Sequence, residues 1–171
     1  PAALHRLAFH GEDDPQFFET ASRLVVAAAL PLALGISGDI AVVGSAISDN
    51  ARVKAPQGTV RAFDASTGEP RWSFDPIPRS DDAANAADWL GGFPPQEGHA
   101  NAWAPMSFDE GRGLLYISTS SPSPDFFGGL RPGDNRYADS IVALQATTGE
   151  VVWSFQTVHH DVWDYDVAAQ P

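Results

Sequence analysis

Two stretches of the chain alternate apolar and polar side chains with a period of two. They are "TVRAFD" (59–64) and "SIVALQ" (140–145). Each runs into a Thr-Gly-Glu turn and out again into an alternating stretch, "PRWSFD" (70–75) and "VVWSFQ" (151–156). Alternation of this kind predicts strands buried on one face. The Gly of the turn is free to take positive φ, so each copy predicts a hairpin. Laid over one another, residues 61–74 and 142–155 agree at eight of fourteen positions, and the tryptophans Trp72 and Trp153 lie 81 positions apart. A Trp at a fixed place after a turn predicts one hairpin packed on the next. Radially repeated sheet, most simply a β-propeller, is the architecture that produces such a repeat. "DIAVVGSAI" (39–47) predicts a buried strand, and "GLLYISTS" (113–120) predicts another after the tight turn "DEGRG".

Between these elements the pattern breaks down. Residues 75–102 show neither period, and 121–137 form a second irregular stretch. Loops of such length inside a compact domain are usually functional. Trp89, inside the first of them, fits either a core or a site role. The apolar run Leu24–Ile36 is short for a membrane span and contains Pro31, so it predicts a buried strand or helix. Neither end of the chain has the look of a natural terminus, which predicts a piece of something longer.

Composition narrows the chemistry. Gly 15 and Pro 14 suit a loop-rich β protein. A formal net charge of −12 disfavours nucleic acid as a partner. The absence of Cys excludes disulfides, thiolate zinc sites and iron–sulfur centres. There is no GxGxxG, no Walker A loop, no GxSxG elbow and no zinc-type His spacing. What stands out is "TVHHDVWDYD" (157–166), with two His, three Asp and two aromatic residues in ten positions. Such a cluster reads either as a polar loop closing a strand or as the rim of a metal or cofactor site. In an extended segment the side chains of His159 and His160 alternate, so no more than one of them can face a substrate, the alternative being a hydrogen-bonded structural residue. Asp49 and Asn50 offer hard oxygen ligands, or else simply make a turn.

The Trp-bearing repeat "AFDASTGEPRWSF" resembles the tryptophan-docking motif of the quinoprotein dehydrogenases. Four further stretches resemble the same family in order: "VVGSAISDN", "NAWAPMSFD", "YISTSSPSPDFFGG" and "TVHHDVWDYDVAAQP". The resemblance covers residues 38–171, and residues 1–37 match poorly. It implies an all-β fold, part of an eight-bladed β-propeller, of which 38–171 would make two to three blades. It implies pyrroloquinoline quinone together with calcium or magnesium. By the same resemblance Asp164 is the general base and a metal neighbour, and Trp103 is the indole floor beneath the quinone. His160 becomes a cofactor-side candidate, Asp49 and Asn50 metal ligands, and Ser121 and Ser123 weaker candidates for the same ion. Asp161 is expected to orient the loop, and Trp163 to pack beside Asp164.

The alcohol-oxidising branch of that family carries an adjacent Cys pair, so a chain without Cys resembles the sugar and polyol branch of glucose and quinate dehydrogenases. The expected activity is oxidation of a sugar or polyol hydroxyl, with electrons passed to ubiquinone. The expected location is the periplasmic face of a bacterial inner membrane, reached through a membrane domain outside this sequence. A non-catalytic propeller scaffold with the same Trp repeats, or an inactive dehydrogenase fragment, is the alternative.

Overall fold

A computed structural model describes residues 39–47, 55–77, 89 and 98–171. Among the described residues seven strands form two antiparallel meanders. The first sheet is β1 (Ile40–Val43), β2 (Val60–Asp64) and β3 (Pro70–Phe74), in that order. The second is β4 (Ser107–Asp109), β5 (Leu114–Ser118), β6 (Ser140–Gln145) and β7 (Val151–Gln156). The expected apolar helix or strand over Leu24–Ile36 lies outside the described residues.

The sequence repeat is also a structural repeat. In both hairpins a backbone N–H of the turn Gly closes on the residue four positions earlier, Gly68 on Asp64 and Gly149 on Gln145, each at 2.8 Å. Gly68 and Gly149 have φ of 76° and 75°, the left-handed region that a side chain would strain. Each hairpin carries a register shift at the same place, Ala62/Phe63 and Ala143/Leu144. The two tryptophans pair with equivalent alanines, Trp72 with Ala62 and Trp153 with Ala143.

Trp72 joins the sheets. Its indole N–H donates to the Ala146 carbonyl at 2.9 Å, just past β6. The ring lies over Gly149, where an added Cβ would come within 2.6 Å of it. Between the sheets Val60 and Phe74 pack with Leu115, Ile117, Val142 and Leu144. Phe74 meets Tyr137 edge-on, with ring centroids 5.7 Å apart. Trp89 is buried in a second cluster with Ile77, Ala100 and Ala138, so it belongs to the core.

One predicted strand differs. The stretch 39–47 is expected to hold a buried strand ending in Gly and Ser; β1 does end at Val43, before Gly44, but its residues are half-buried or exposed. The strand ends at a close crossing. A Cβ on Gly44 would stand 2.0 Å from the Ala102 carbonyl oxygen, and Ser45 N–H donates to that oxygen at 3.1 Å. The chain leaves the sheet to reach residue 102.

A buried carboxylate lies at the entry to β6. Asp139 has φ of 46° and is wholly buried. Its carbonyl accepts both Thr157 N–H at 2.8 Å and Thr157 Oγ1–H at 2.6 Å. Neither carboxylate oxygen has a hydrogen-bond partner. Burial, with the nearby carboxylates of Asp161, Asp166 and Asp164, pushes its pKa up to about 8, against the pull of Arg131.

Two outcomes follow from this packing. Replacing Trp72 by Ala should cost about 3 kcal/mol, through loss of packing. Trp72→Phe should cost about 1 kcal/mol, through loss of the hydrogen bond. Urea unfolding followed by circular dichroism checks both, and an unchanged midpoint would refute the docking role. Asp139 gives a pH dependence. Its folded pKa lies above its unfolded value near 4, so its contribution is full below about pH 4 and is lost as pH rises towards about 8. The melting temperature of Asp139→Asn should therefore rise relative to the parent across that window, with the two converging at its acid end.

Candidate active site

The segment after β7 folds back over the ends of β5 and β6. Asp161 shapes it. This buried carboxylate accepts Trp163 N–H on Oδ1 at 3.0 Å and Tyr165 N–H on Oδ2 at 2.8 Å. The same Oδ2 accepts the Ser121 hydroxyl at 2.9 Å. An Asp holding the N–H groups two and four residues on forces a tight turn. Asp164 sits inside that turn with φ of 64°, the left-handed region that side chains rarely adopt. Such a conformation persists only where neighbours over-determine it, and it is commonest at functional sites.

The turn is clamped from below. Arg131 is fully buried and donates to the Asp161 carbonyl, to the carbonyls of Pro124 and Asp125, and to Asn135 Oδ1 at 2.7 Å. Burial lowers its pKa, while Asp139, Asp161 and Asp125 oppose that shift. Arg131 lies in a stretch with the look of a surface turn, so sequence reasoning missed it.

Asp166 also escaped the sequence reading. Its Oδ2 accepts the Trp103 indole N–H at 2.8 Å, and its Oδ1 accepts Ser121 N–H at 2.7 Å. Trp103 and the segment bearing Asp164 are thereby brought together, although they are some sixty residues apart in sequence. Trp103 is 47 % exposed. It lines a depression of about 220 Å³ with Gly44, Ser45, Ala46, Ala102, Ala104 and Met106. Mostly small neighbours leave the indole face open.

The remaining candidates fall as follows. Ser121 gives its hydroxyl to Asp161 and its N–H to Asp166, so it acts as a strut between the two carboxylates. The Ser123 hydroxyl accepts His99 N–H at 3.0 Å. His160 has φ of 49°, and its Nδ1 lies 2.8 Å from the Gly133 carbonyl oxygen. A Cβ on Gly128 would come within 2.2 Å of His160 Nε2, so the ring braces the 128–133 turn. His159 lies 3.6 Å from the exposed Asp134 carboxylate. Trp163 is 73 % exposed, and its backbone N–H contributes to the turn. Asp49 and Asn50 lie outside the described residues.

A flat aromatic cofactor fits the Trp103 face, because an open indole with small neighbours offers a broad apolar surface. A cation is served only in part. Asp164 supplies a hard oxygen, but among the described residues no three Asp, Glu or His side chains are grouped to hold a metal.

Comparison with known proteins places the chain in a family. The family described as "PQQ: Glucose/ethanol/alcohol dehydrogenase, beta-propeller domain" matches residues 23–171, so the match begins inside the segment set apart as 1–37. The quinoprotein glucose dehydrogenase of Escherichia coli is 41 % identical over 131 residues, which cover 76 % of this chain and 16 % of that protein. The quinate/shikimate dehydrogenase (quinone) of Acinetobacter baylyi is 40 % identical over 137 residues, covering 80 % of this chain and 16 % of its own length. The crystal structure of the quinohemoprotein alcohol dehydrogenase from Comamonas testosteroni superposes with a TM-score of 0.68 at 28 % identity, over 79 % of this chain and 21 % of that one. The chain thus spans about a sixth of the two curated relatives. With a strand repeat, an inter-sheet Trp and a family match over most of its length, the chain belongs to the β-propeller domain family of the PQQ-dependent glucose, ethanol and alcohol dehydrogenases.

Proposed function

We propose that this chain is the base-bearing and floor-bearing part of a PQQ-dependent dehydrogenase that oxidises a sugar or polyol hydroxyl. The observation that carries the reading is Asp164. It is held in a left-handed turn by Asp161 and tied through Asp166 to the open indole of Trp103. The glucose- and quinate-oxidising names of its relatives support the sugar or polyol class.

In this reading Trp103 stacks beneath the flat cofactor and keeps water from that face. The Asp164 carboxylate accepts the proton of the substrate hydroxyl. Asp161 and Arg131 hold the turn, so Asp164 keeps its left-handed backbone. When bound, the quinone supplies a two-electron hydride acceptor, and calcium or magnesium supplies Lewis acidity. Asp49 and Asn50 would join Asp164 as oxygen donors to that cation. Residues 38–171 contribute two to three blades of an eight-bladed propeller. Electrons pass on to ubiquinone at the periplasmic face of the inner membrane. Among the described residues no helix is long and apolar enough to cross a membrane.

The test is a titration of the protein with pyrroloquinoline quinone in calcium and then in magnesium, read by quenching of Trp fluorescence. Saturable, metal-dependent quenching is expected, and Trp103→Ala should weaken it. Asp164→Asn should retain binding but lower dye-linked oxidation of glucose, quinate or glycerol by about a hundredfold or more, the usual loss for a general base. Turnover undiminished in Asp164→Asn would sink the assignment.

A further inference from the structure

Asp166 lies two residues past the proposed base, and nothing above gives it a chemical role. Its carboxylate nevertheless joins three parts of the site. One oxygen holds the Trp103 indole N–H at 2.8 Å and the other holds Ser121 N–H at 2.7 Å. Ser121 then passes its hydroxyl to Asp161, whose oxygens hold the backbone on either side of Asp164. The circuit runs from the floor to the base without a break.

Trp103 needs such an anchor. It is 47 % exposed, and its chain neighbours are Ala102 and Ala104. Packing alone leaves an exposed indole several rotamers. An indole has a single donor, in the plane of its ring. Fixing that donor at a point on the rigid turn fixes both torsions and therefore the plane. The bond is charge-assisted, roughly twice as strong as a neutral one. Donation to an anion also polarises the indole towards higher electron density, which suits stacking against an electron-poor quinone.

We propose that Asp166 is a positioning residue that sets the plane of Trp103 relative to Asp164, so that cofactor floor and base move as one unit. This rests on the reading of Trp103 as the floor.

The experiment combines two readouts on the protein and its variants Asp166→Asn, Trp103→Phe and the double variant. The first needs no cofactor. The indole ¹H–¹⁵N resonance of Trp103, assigned by its loss in Trp103→Phe, should lie downfield and move upfield in Asp166→Asn. The second is quinone affinity by fluorescence titration. Asp166→Asn should weaken it about tenfold, the difference between a charged and a neutral hydrogen bond. In the Trp103→Phe background, which has no indole N–H, the same substitution should change affinity by less than about twofold. Equal loss in both backgrounds would overturn the proposal, because Asp166 would then act independently of Trp103. So would an unmoved indole resonance, or full affinity in Asp166→Asn beside a clear loss in Trp103→Phe; both leave the proposed function standing. An unmutated protein that binds no quinone, with the indole resonance still responding to Asp166, would overturn the proposed function and the positioning role together.

Discussion

The two sheets meet at one indole. Trp72 gives its N–H to the Ala146 carbonyl and lays its ring on Gly149. Two properties make this contact possible. Gly149 has no Cβ, so a flat peptide surface is exposed to the ring, and its φ of 75° closes the turn tightly. With the sheets set at that spacing, Val60 and Phe74 reach Leu115 and Val142, and a shared core forms. The loops at 44–45, 101–104 and 118–123 are then drawn together, as shown by Ser45 on Ala102 and Ser120 on Asn101. The site is built on those loops.

Above the core, precision comes from polar bonds rather than apolar packing. Trp103, Trp163 and Tyr165 are all substantially exposed, so side-chain burial does not order the segment. Buried charges do that instead. Asp161 satisfies three donors, and every donor contact of Arg131 goes to a carbonyl or an amide oxygen. A buried charge is costly unless it is bonded in this way, and a network so satisfied holds one geometry. Asp139, without such bonds, keeps its proton to unusually high pH beneath the same network.

The hairpins, their turns and the pairing of two Trp repeats were legible from residues alone, because period two and a turn Gly act over a few positions. Strand β6 matches its predicted span of 140–145, and β7 its span of 151–156. The family resemblance was legible for the same local reason: its motifs are short and contiguous. Burial over 39–47 was not legible, because β1 lies at the edge of its sheet and leaves it where Gly44 meets Ala102, a residue nearly sixty positions away.

Sequence by itself determined the strand repeat, the lack of thiol chemistry and the candidates Asp164 and Trp103. Only the tertiary structure decided how those candidates are held. Asp166 and Arg131 act on partners far from them in sequence, and hydrogen bonds across such distances leave no periodic trace along the chain. Nor could residue order show that Ser121 and Arg131 hold Asp161, whose carboxylate bends the backbone around Asp164.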